Sequence, residues 1–426
     1  MNLPLLNPFE SAIPEILTHS LHSLNATKCA FNRRGNYIAV GADDGKLEVW
    51  DLDTHTCMRT MVGHVGKITA ISWSRDGYHV LTAATDWNCI YWDLVEGINL
   101  CTIRFQSVVN TAQMNPRDNF SFIACPNGEA PVLVTLKPDD HSPRLRPTIT
   151  PIPLGIADET SRTTFDIVYV ATFDHEGKHV ALGSSKGMVT VMEYPSWKIL
   201  DAQRPVGAVQ IRSICYNRRG TDLCLNASDK IIRVCPILES GAPDWEEHVR
   251  FRDDIDRGQW AGCRISNDGD YVIGGNAAKH QLFIWYRIPD PDGEVVTLVS
   301  KLDGNYSTGG LVDFDMHPYR PIIASVAKQD KVLIWEPNSP ENWSAFRPDF
   351  TEVSENKEYQ EQEDEFDWIS LEEIARRKAL KTTRDHEDID IVRRERANPH
   401  GIAYASDEED LFDAYLPNTT TRAESP

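Results

Sequence analysis

A short turn-forming tetrad recurs seven times along this chain, and each copy separates two runs in which apolar and polar residues alternate. Six of the seven copies contain glycine, asparagine or aspartate, which tolerate the positive φ angles of tight hairpins. The tetrads are Arg33-Arg34-Gly35-Asn36, Ser74-Arg75-Asp76-Gly77, Pro116-Arg117-Asp118-Asn119, His175-Glu176-Gly177-Lys178, Arg218-Arg219-Gly220-Thr221, Asn267-Asp268-Gly269-Asp270 and His317-Pro318-Tyr319-Arg320.

The spacing within each repeat is nearly constant. Counted from the tetrad glycine, a third run ends 15 residues later in four copies, as from Gly35 to Trp50. In the other three copies it ends 16 residues after a tetrad residue, as from Gly269 to Trp285. Gly35, Gly77 and Asn119 of the first three tetrads are 42 residues apart, within the ~40–45 residues typical of WD40 repeats. We therefore predict an all-β fold, a seven-bladed WD40 β-propeller over residues 25–340, because a closed ring leaves only short sheet edges.

Repeat two has the most complete set of WD-type polar residues. It contains Gly63-His64, Thr82, Asp86 and Trp92-Asp93. We interpret His64, Thr82, Asp86 and Trp92 as a structural hydrogen-bond network, since no nucleophile lies at a spacing that would complete a catalytic His–Asp arrangement. The other repeats lack a Gly-His pair and are expected to depend on packing alone.

Two segments depart from the regular repeat. The last repeat ends at Trp335 without a clear fourth strand, whereas the strand-like stretch Ile16 to Ser23 precedes the first repeat. We expect residues 1–24 to supply the missing outer strand and close the ring. Residues 137–162 are rich in proline and are predicted to form an exposed loop between blades three and four, either a binding loop or a tolerated insertion.

Composition argues against several functional classes. The formal net charge of −21 argues against nucleic-acid binding by the whole surface. The nine cysteines include no CxxC pair, which indicates reduced thiols and predicts no metal site. No stretch is long and apolar enough to span a membrane. The sequence shows no phosphate-binding glycine loop, metal cluster or paired-carboxylate motif, so we expect no cofactor, no small-molecule ligand and no enzymatic activity.

The C-terminal residues 341–426 form an acidic arm. They contain 23 acidic and 11 basic residues, so more than half of the net charge lies in a fifth of the chain. Such a segment buries too little apolar surface to offset its ordering entropy, and we predict that it is largely disordered. Aromatic residues nevertheless interrupt the charge run, as expected of partner-binding motifs. Residues 368–380 have helical apolar spacing after Ser370, a plausible N-cap.

Taken together, these features resemble the retinoblastoma-binding-protein-5 family, the propeller subunit of COMPASS-type (Set1/MLL) histone H3 lysine-4 methyltransferase complexes. The most specific stretches are Glu341 to Phe350 and Glu355 to Asp367. The N-terminal sequence MNLPLLNPFE and the segment GADDG-LEVWD of the first repeat are also similar to the family. The resemblance implies a nuclear, non-catalytic scaffold that stimulates the SET-domain subunit and contacts the nucleosome.

The same resemblance implies three partner-binding segments in the arm. A segment that activates the SET-domain methyltransferase subunit is represented by Trp343, Phe346, Pro348 and Phe350. A segment that binds the SPRY-domain subunit (absent, small or homeotic 2 family) is represented by Glu352, Glu355, Glu358, Tyr359, Glu361, Glu363, Asp364, Glu365, Phe366 and Asp367. A strand that docks on a second propeller, of the WD-repeat protein 5 family, is represented by Asp388, Ile389, Asp390, Ile391 and Val392, with isoleucine at two positions where the family pattern has valine.

Two other functions are weighed against this one. A substrate receptor of a cullin-type ubiquitin ligase resembles this chain in fold, but such receptors carry arginine two positions after the Trp-Asp pair, where this chain has Asp53 and Val95. Contact with nucleosomal DNA or RNA is the other possibility, through the basic turns Arg33-Arg34 and Arg218-Arg219. Scattered arginines of this kind are more often simply solvated.

Overall fold

The structure is a computed structural model, and nearly all of the regular secondary structure in the part of the chain that it describes is β-strand. The described residues are 13–23, 25–139, 142–154, 166–238, 240–253, 258–288, 295–304, 309–327, 331–338, 372–373, 375–376 and 378–379. Within them, no helix is long and apolar enough to cross a membrane. The described residues between 372 and 379 are helical and exposed, in the segment where the sequence predicts a helix.

The strands form seven four-stranded antiparallel sheets, counted over the described ranges. In six of the seven sheets the strand that comes first in the chain lies innermost, at the central channel, and the order outward follows the chain; in the seventh, the N-terminal strand of the protein lies outermost. We number the sheets as blades 1 to 7. Blade 1 contains β2 (Ala26–Phe31), β3 (Tyr37–Ala42), β4 (Lys46–Asp51) and β5 (Cys57–Val62); blade 2 contains β6 (Ile68–Trp73), β7 (His79–Ala84), β8 (Asn88–Asp93) and β9 (Ile98–Arg104); blade 3 contains β10 (Val109–Met114), β11 (Ser121–Pro126), β12 (Val132–Asp139) and β13 (Ser142–Pro151); blade 4 contains β14 (Val168–Phe173), β15 (His179–Ser184), β16 (Val189–Glu193) and β17 (Lys198–Gln203).

The remaining strands complete the ring. Blade 5 contains β18 (Ile211–Tyr216), β19 (Asp222–Ala227), β20 (Ile232–Pro236) and β21 (Val249–Phe251); blade 6 contains β22 (Trp260–Ile265), β23 (Tyr271–Asn276), β24 (Gln281–Ile288) and β25 (Val295–Asp303); blade 7 contains β26 (Leu311–Met316), β27 (Ile323–Ala327), β28 (Lys331–Glu336) and the N-terminal β1 (Ile16–Leu21). The predicted seven-bladed propeller fold is thereby confirmed.

The recurring tetrads form the turns between the first and second strands of the blades, as predicted from their glycines and aspartates. Gly35 and Gly77 have φ angles of +83° and +76°, a region that other residues adopt only with strain. At Gly35, a Cβ atom would also collide with the ring of His317 in blade 7. This turn therefore requires glycine both for its backbone conformation and for close packing between blades.

The core is divided into seven apolar clusters, one at each interface between neighbouring blades. Alternation along each strand sends apolar side chains to both faces of a blade, so that every sheet is covered on both sides. The cluster between blades 7 and 1 joins Leu21 of β1 to Ile38 and Val40 of β3 and to Val332 and Ile334 of β28. The ring of packed interfaces is thus continuous.

The N-terminal strand β1 is the outermost strand of blade 7. It pairs antiparallel with β28, from Ile16 opposite Glu336 to Leu21 opposite Val332. The Thr18 hydroxyl also donates a hydrogen bond of 3.3 Å to the carbonyl of Ile334. The strand expected from Ile16 to Ser23 is present, and it joins the first strand of the chain to the last one.

The loop predicted for residues 137–162 is wrong over most of its described length. Residues up to Asp139 extend β12, and Ser142–Pro151 form β13, which pairs with β12 along its whole length. Because β13 is an edge strand, one side of its backbone needs no ladder partner, so Pro147 and Pro151 fit opposite Leu136 and Val132. Part of the remainder, residues 155–162, lies outside the described residues.

Candidate interaction surfaces

The four residues predicted as a network in blade 2 are brought together by the fold. The His64 Nδ1 atom donates to Asp86 Oδ2 at 3.0 Å, which leaves Nε2 to accept from the Thr82 hydroxyl at 2.8 Å. Trp92 Nε1 donates to the same hydroxyl oxygen at 2.8 Å. Burial lowers the pKa of His64, so the ring is neutral near pH 7. The network is structural, since it is buried between strands and satisfied internally.

The expectation that the other blades depend on packing alone is wrong for blade 7. Trp335 Nε1 donates to Ser325 Oγ at 2.8 Å, and His280 Nε2 lies 2.9 Å from the same oxygen. His280 lies in the turn between β23 and β24 of blade 6, although it bonds to blade 7. His64, by contrast, lies just before the first strand of blade 2, to which it bonds. A search for Gly-His before each repeat therefore misses His280.

A group of charged residues lines the channel where blades 6, 7 and 1 meet. Asp315 on β26 accepts from Arg264 Nε in blade 6 at 2.9 Å and from the Phe31 backbone N–H in blade 1 at 2.9 Å. Asp313 forms an ion pair of 3.2 Å with Lys28. Burial raises the pKa of Asp315, although the Arg264 charge opposes this effect. The two carboxylates of β26 therefore link three successive blades, a role that the sequence did not reveal.

The central channel has a volume of about 840 Å³ and is lined by the inner strands of the blades and by their first turns. Arg33 and Arg218, two of the predicted basic contacts, lie at this lining. Both are close enough to His175 that their charges, together with the larger effect of burial, lower its pKa. Arg218 also stacks on Tyr319, with Cζ 4.3 Å from the ring centroid, and donates to its hydroxyl at 2.6 Å.

The other two predicted basic contacts, Arg34 and Arg219, are exposed in the same set of turns. These turns all join first to second strands, so they share one face of the propeller. The seven tetrads contain eight basic and five acidic residues, against a net charge of −21 for the chain. These seven turns are therefore locally basic on an acidic protein, and they share their face with the turns between third and fourth strands, where Arg320 pairs with Asp53 at 3.1 Å.

The segments predicted to bind partners lie outside the described residues, namely those at 343–350, 352–367 and 388–392. Their assignments stay predictions.

Comparison with known proteins gives consistent results. The family model described as "WD domain, G-beta repeat" matches residues 15–51 and 55–93, the first two repeats. The "Retinoblastoma-binding protein 5 homolog" of Drosophila melanogaster is 33% identical over 418 residues, which cover 96% of this chain and 80% of the relative. This chain belongs to the retinoblastoma-binding protein 5 family.

Other members and a solved structure agree with this assignment. The "Set1 complex component swd1" of Schizosaccharomyces pombe is 33% identical, over 86% of this chain and 90% of the relative. The "COMPASS component SWD1" of Saccharomyces cerevisiae is 30% identical, over 87% and 88%. The crystal structure of the Cps50 (Swd1) β-propeller domain of Myceliophteria thermophila superposes with a TM-score of 0.64 at 27% identity, covering 76% of this chain and 99% of that one. The predicted family is thereby confirmed.

Proposed function

We propose that this chain is a non-catalytic scaffold subunit of a nuclear histone H3 lysine-4 methyltransferase complex of the COMPASS type. Family membership carries the proposal, because relatives matched along 86% and 87% of the chain are named as Set1 complex and COMPASS components. The fold supports a binding role, since seven packed blades present turns on two faces of a rigid ring. The purified chain alone should not methylate histone H3.

The proposed division of labour places a propeller at residues 25–340 and partner-binding segments in the arm at 341–426. Trp343 to Phe350 would stimulate the SET-domain subunit by favouring its active arrangement. Glu352 to Asp367 would bind the SPRY subunit, and Asp388 to Val392 would bind a WD-repeat protein 5 type propeller. Because one chain carries all three segments, each contact raises the effective concentration of the next, and modest individual affinities suffice.

The SPRY assignment is tested by pull-down of the SPRY subunit with a quadruple variant, Glu358→Ala, Tyr359→Ala, Glu363→Ala and Phe366→Ala. A matched control carries the same four kinds of alanine substitution further along the arm, at Glu387, Tyr404, Glu408 and Phe412. We expect the first variant to lose binding and the control to retain it. Equal retention by both variants would refute the assignment of this segment.

The basic tetrad turns proposed to contact the nucleosome are tested separately. Arg34→Glu with Arg219→Glu reverses two exposed charges of those turns, whereas Arg104→Glu with Lys198→Glu makes the same charge change on outer strands β9 and β17. We expect the first pair to weaken nucleosome binding by the assembled complex and to reduce its dependence on salt concentration, because phosphate contacts release counterions. Activity on a histone H3 peptide should remain unchanged. An equal loss in both pairs would indicate a general charge effect instead.

A further inference from the structure

Three cysteines that are far apart in sequence converge between blades 5 and 6. Cys215 on β18 lies directly opposite Cys224 on β19, and Cys263 on β22 approaches both from the neighbouring blade. Their three sulfur atoms all lie within 4.8 Å of one another, and all three are free thiols. Cys224 and Cys263 are buried, whereas Cys215 is partly exposed.

The size of this triangle suits a small cation. A metal–thiolate bond of about 2.3 Å places three sulfurs in trigonal coordination about 4 Å apart. Sulfurs that already lie within 4.8 Å would have to move by less than about 1 Å, which side-chain rotation can supply. A disulfide between any two of them would require an approach to about 2 Å and would leave the third thiol unused.

The number and type of ligands favour a soft cation with low coordination number. Thiolates select Cu(I) and Zn(II) among the common metals. Structural zinc takes four protein ligands, commonly cysteine or histidine, but among the described residues no further histidine, cysteine or carboxylate joins this group. We propose that Cys215, Cys224 and Cys263 bind one Cu(I) ion through three thiolates. Binding would release the thiol protons to solvent and would involve no change of oxidation state.

The surroundings provide a route and a compensating charge. Cys215, Ser213, Gly262 and Arg264 line the central channel, so an ion can reach the cluster from solvent. Arg264 Nη1 donates to the Cys263 carbonyl at 3.0 Å, which keeps its guanidinium beside the thiols. A Cu(I) ion with three thiolates carries a charge of −2. The Arg264 guanidinium, which also donates from Nε to Asp315, offsets part of the cost of burying that charge. The bound ion would cross-link blade 5 to blade 6.

The test is a Cu(I) titration of the full chain under anaerobic, reducing conditions in competition with a chromophoric Cu(I) chelator. All proteins carry Cys57→Ser, because Cys57 is the exposed thiol and would bind copper on its own. The chain that carries Cys57→Ser alone should take one equivalent of Cu(I) from the chelator. X-ray absorption should show three sulfur neighbours around the bound copper. Its melting temperature should rise on binding, since the ion binds only the folded state.

Three variants decide between a metal site and three packed thiols. Cys224→Ala and Cys263→Ala should each lose the tightly bound equivalent, whereas Cys235→Ala, which removes a buried thiol of blade 5 outside the cluster, should retain it. Cys215→Ser, at the partly exposed position, provides a cluster variant that is expected to fold if the buried alanine variants do not. Copper uptake that is absent, or equal in cluster and control variants, would overturn the proposal. Tight binding of Zn(II) with a fourth ligand would overturn the assignment of the ion.

Discussion

Truncation of Leu21 tests whether the N-terminal strand closes the ring. Leu21 is 2% exposed, lies opposite Val332 of β28, and packs into the apolar cluster between blades 7 and 1. Leu17 lies on the same strand but is 47% exposed. The pair therefore offers the same substitution at a buried and an exposed position of one strand.

The expected magnitudes differ clearly. Leu21→Ala removes about three buried carbon atoms and leaves a cavity at an interface between blades, which costs about 3 kcal/mol. Leu17→Ala should change the free energy of unfolding by no more than about 0.5 kcal/mol. Because blade 7 contains both the first and the last strand, a weakened closure should destabilise the whole ring and shift a single cooperative transition.

Urea unfolding of the full chain, followed by tryptophan fluorescence and circular dichroism, measures both variants. We expect a lower midpoint for Leu21→Ala with little change in the slope of the transition. Equal, small effects of both substitutions would show that β1 does not contribute its buried face to the stability of the ring, and the closure argued here would be wrong.

Two further predictions concern buried polar networks. Thr82→Val should cost about 1–3 kcal/mol, because His64 and Trp92 lose their shared buried partner, whereas Thr102→Val on the exposed side of β9 should be nearly neutral in the same urea assay. Burial lowers the pKa of His280 to about 4 in the folded chain. In the unfolded chain the imidazole has its ordinary pKa of about 6.5 and is protonated first as the pH falls. The free energy of unfolding therefore decreases between about pH 6.5 and pH 4. From pH 7 to pH 5 the parent chain should therefore lose about 2 kcal/mol more unfolding free energy than the His280→Gln variant. Equal losses would contradict the conclusion that His280 is buried in its neutral form.

The elements with a strict local signal were predictable from the sequence. Turn tetrads such as Ser74 to Gly77 recur at a nearly constant distance before a residue of the third strand, such as Trp92. The distance is nearly constant because every blade buries the same alternation of apolar residues. Strand β1 was predictable for a related reason, since the last repeat lacked a fourth strand. The WD-type set of His64, Thr82 and Asp86 follows from local spacing in the same way.

The features that the sequence did not reveal depend on contacts between blades. Prolines in β13 suggested a loop, but an edge strand tolerates them. His280 reaches Ser325 of the next blade over 45 residues, so no local motif announces it. Cys215 and Cys263 lie 48 residues apart and meet only because blades 5 and 6 pack together.

The most direct test of the scaffold function is reconstitution of the methyltransferase with purified SET-domain and SPRY-domain subunits. Methylation of histone H3 lysine 4 would be measured without this chain, with residues 1–426, and with the chain truncated at residue 340. We predict that the full chain stimulates methylation well above the level of the other subunits alone, and that truncation abolishes the stimulation because the arm carries the partner-binding segments. No stimulation by the full chain, or equal stimulation by the truncated chain, would contradict the function proposed here.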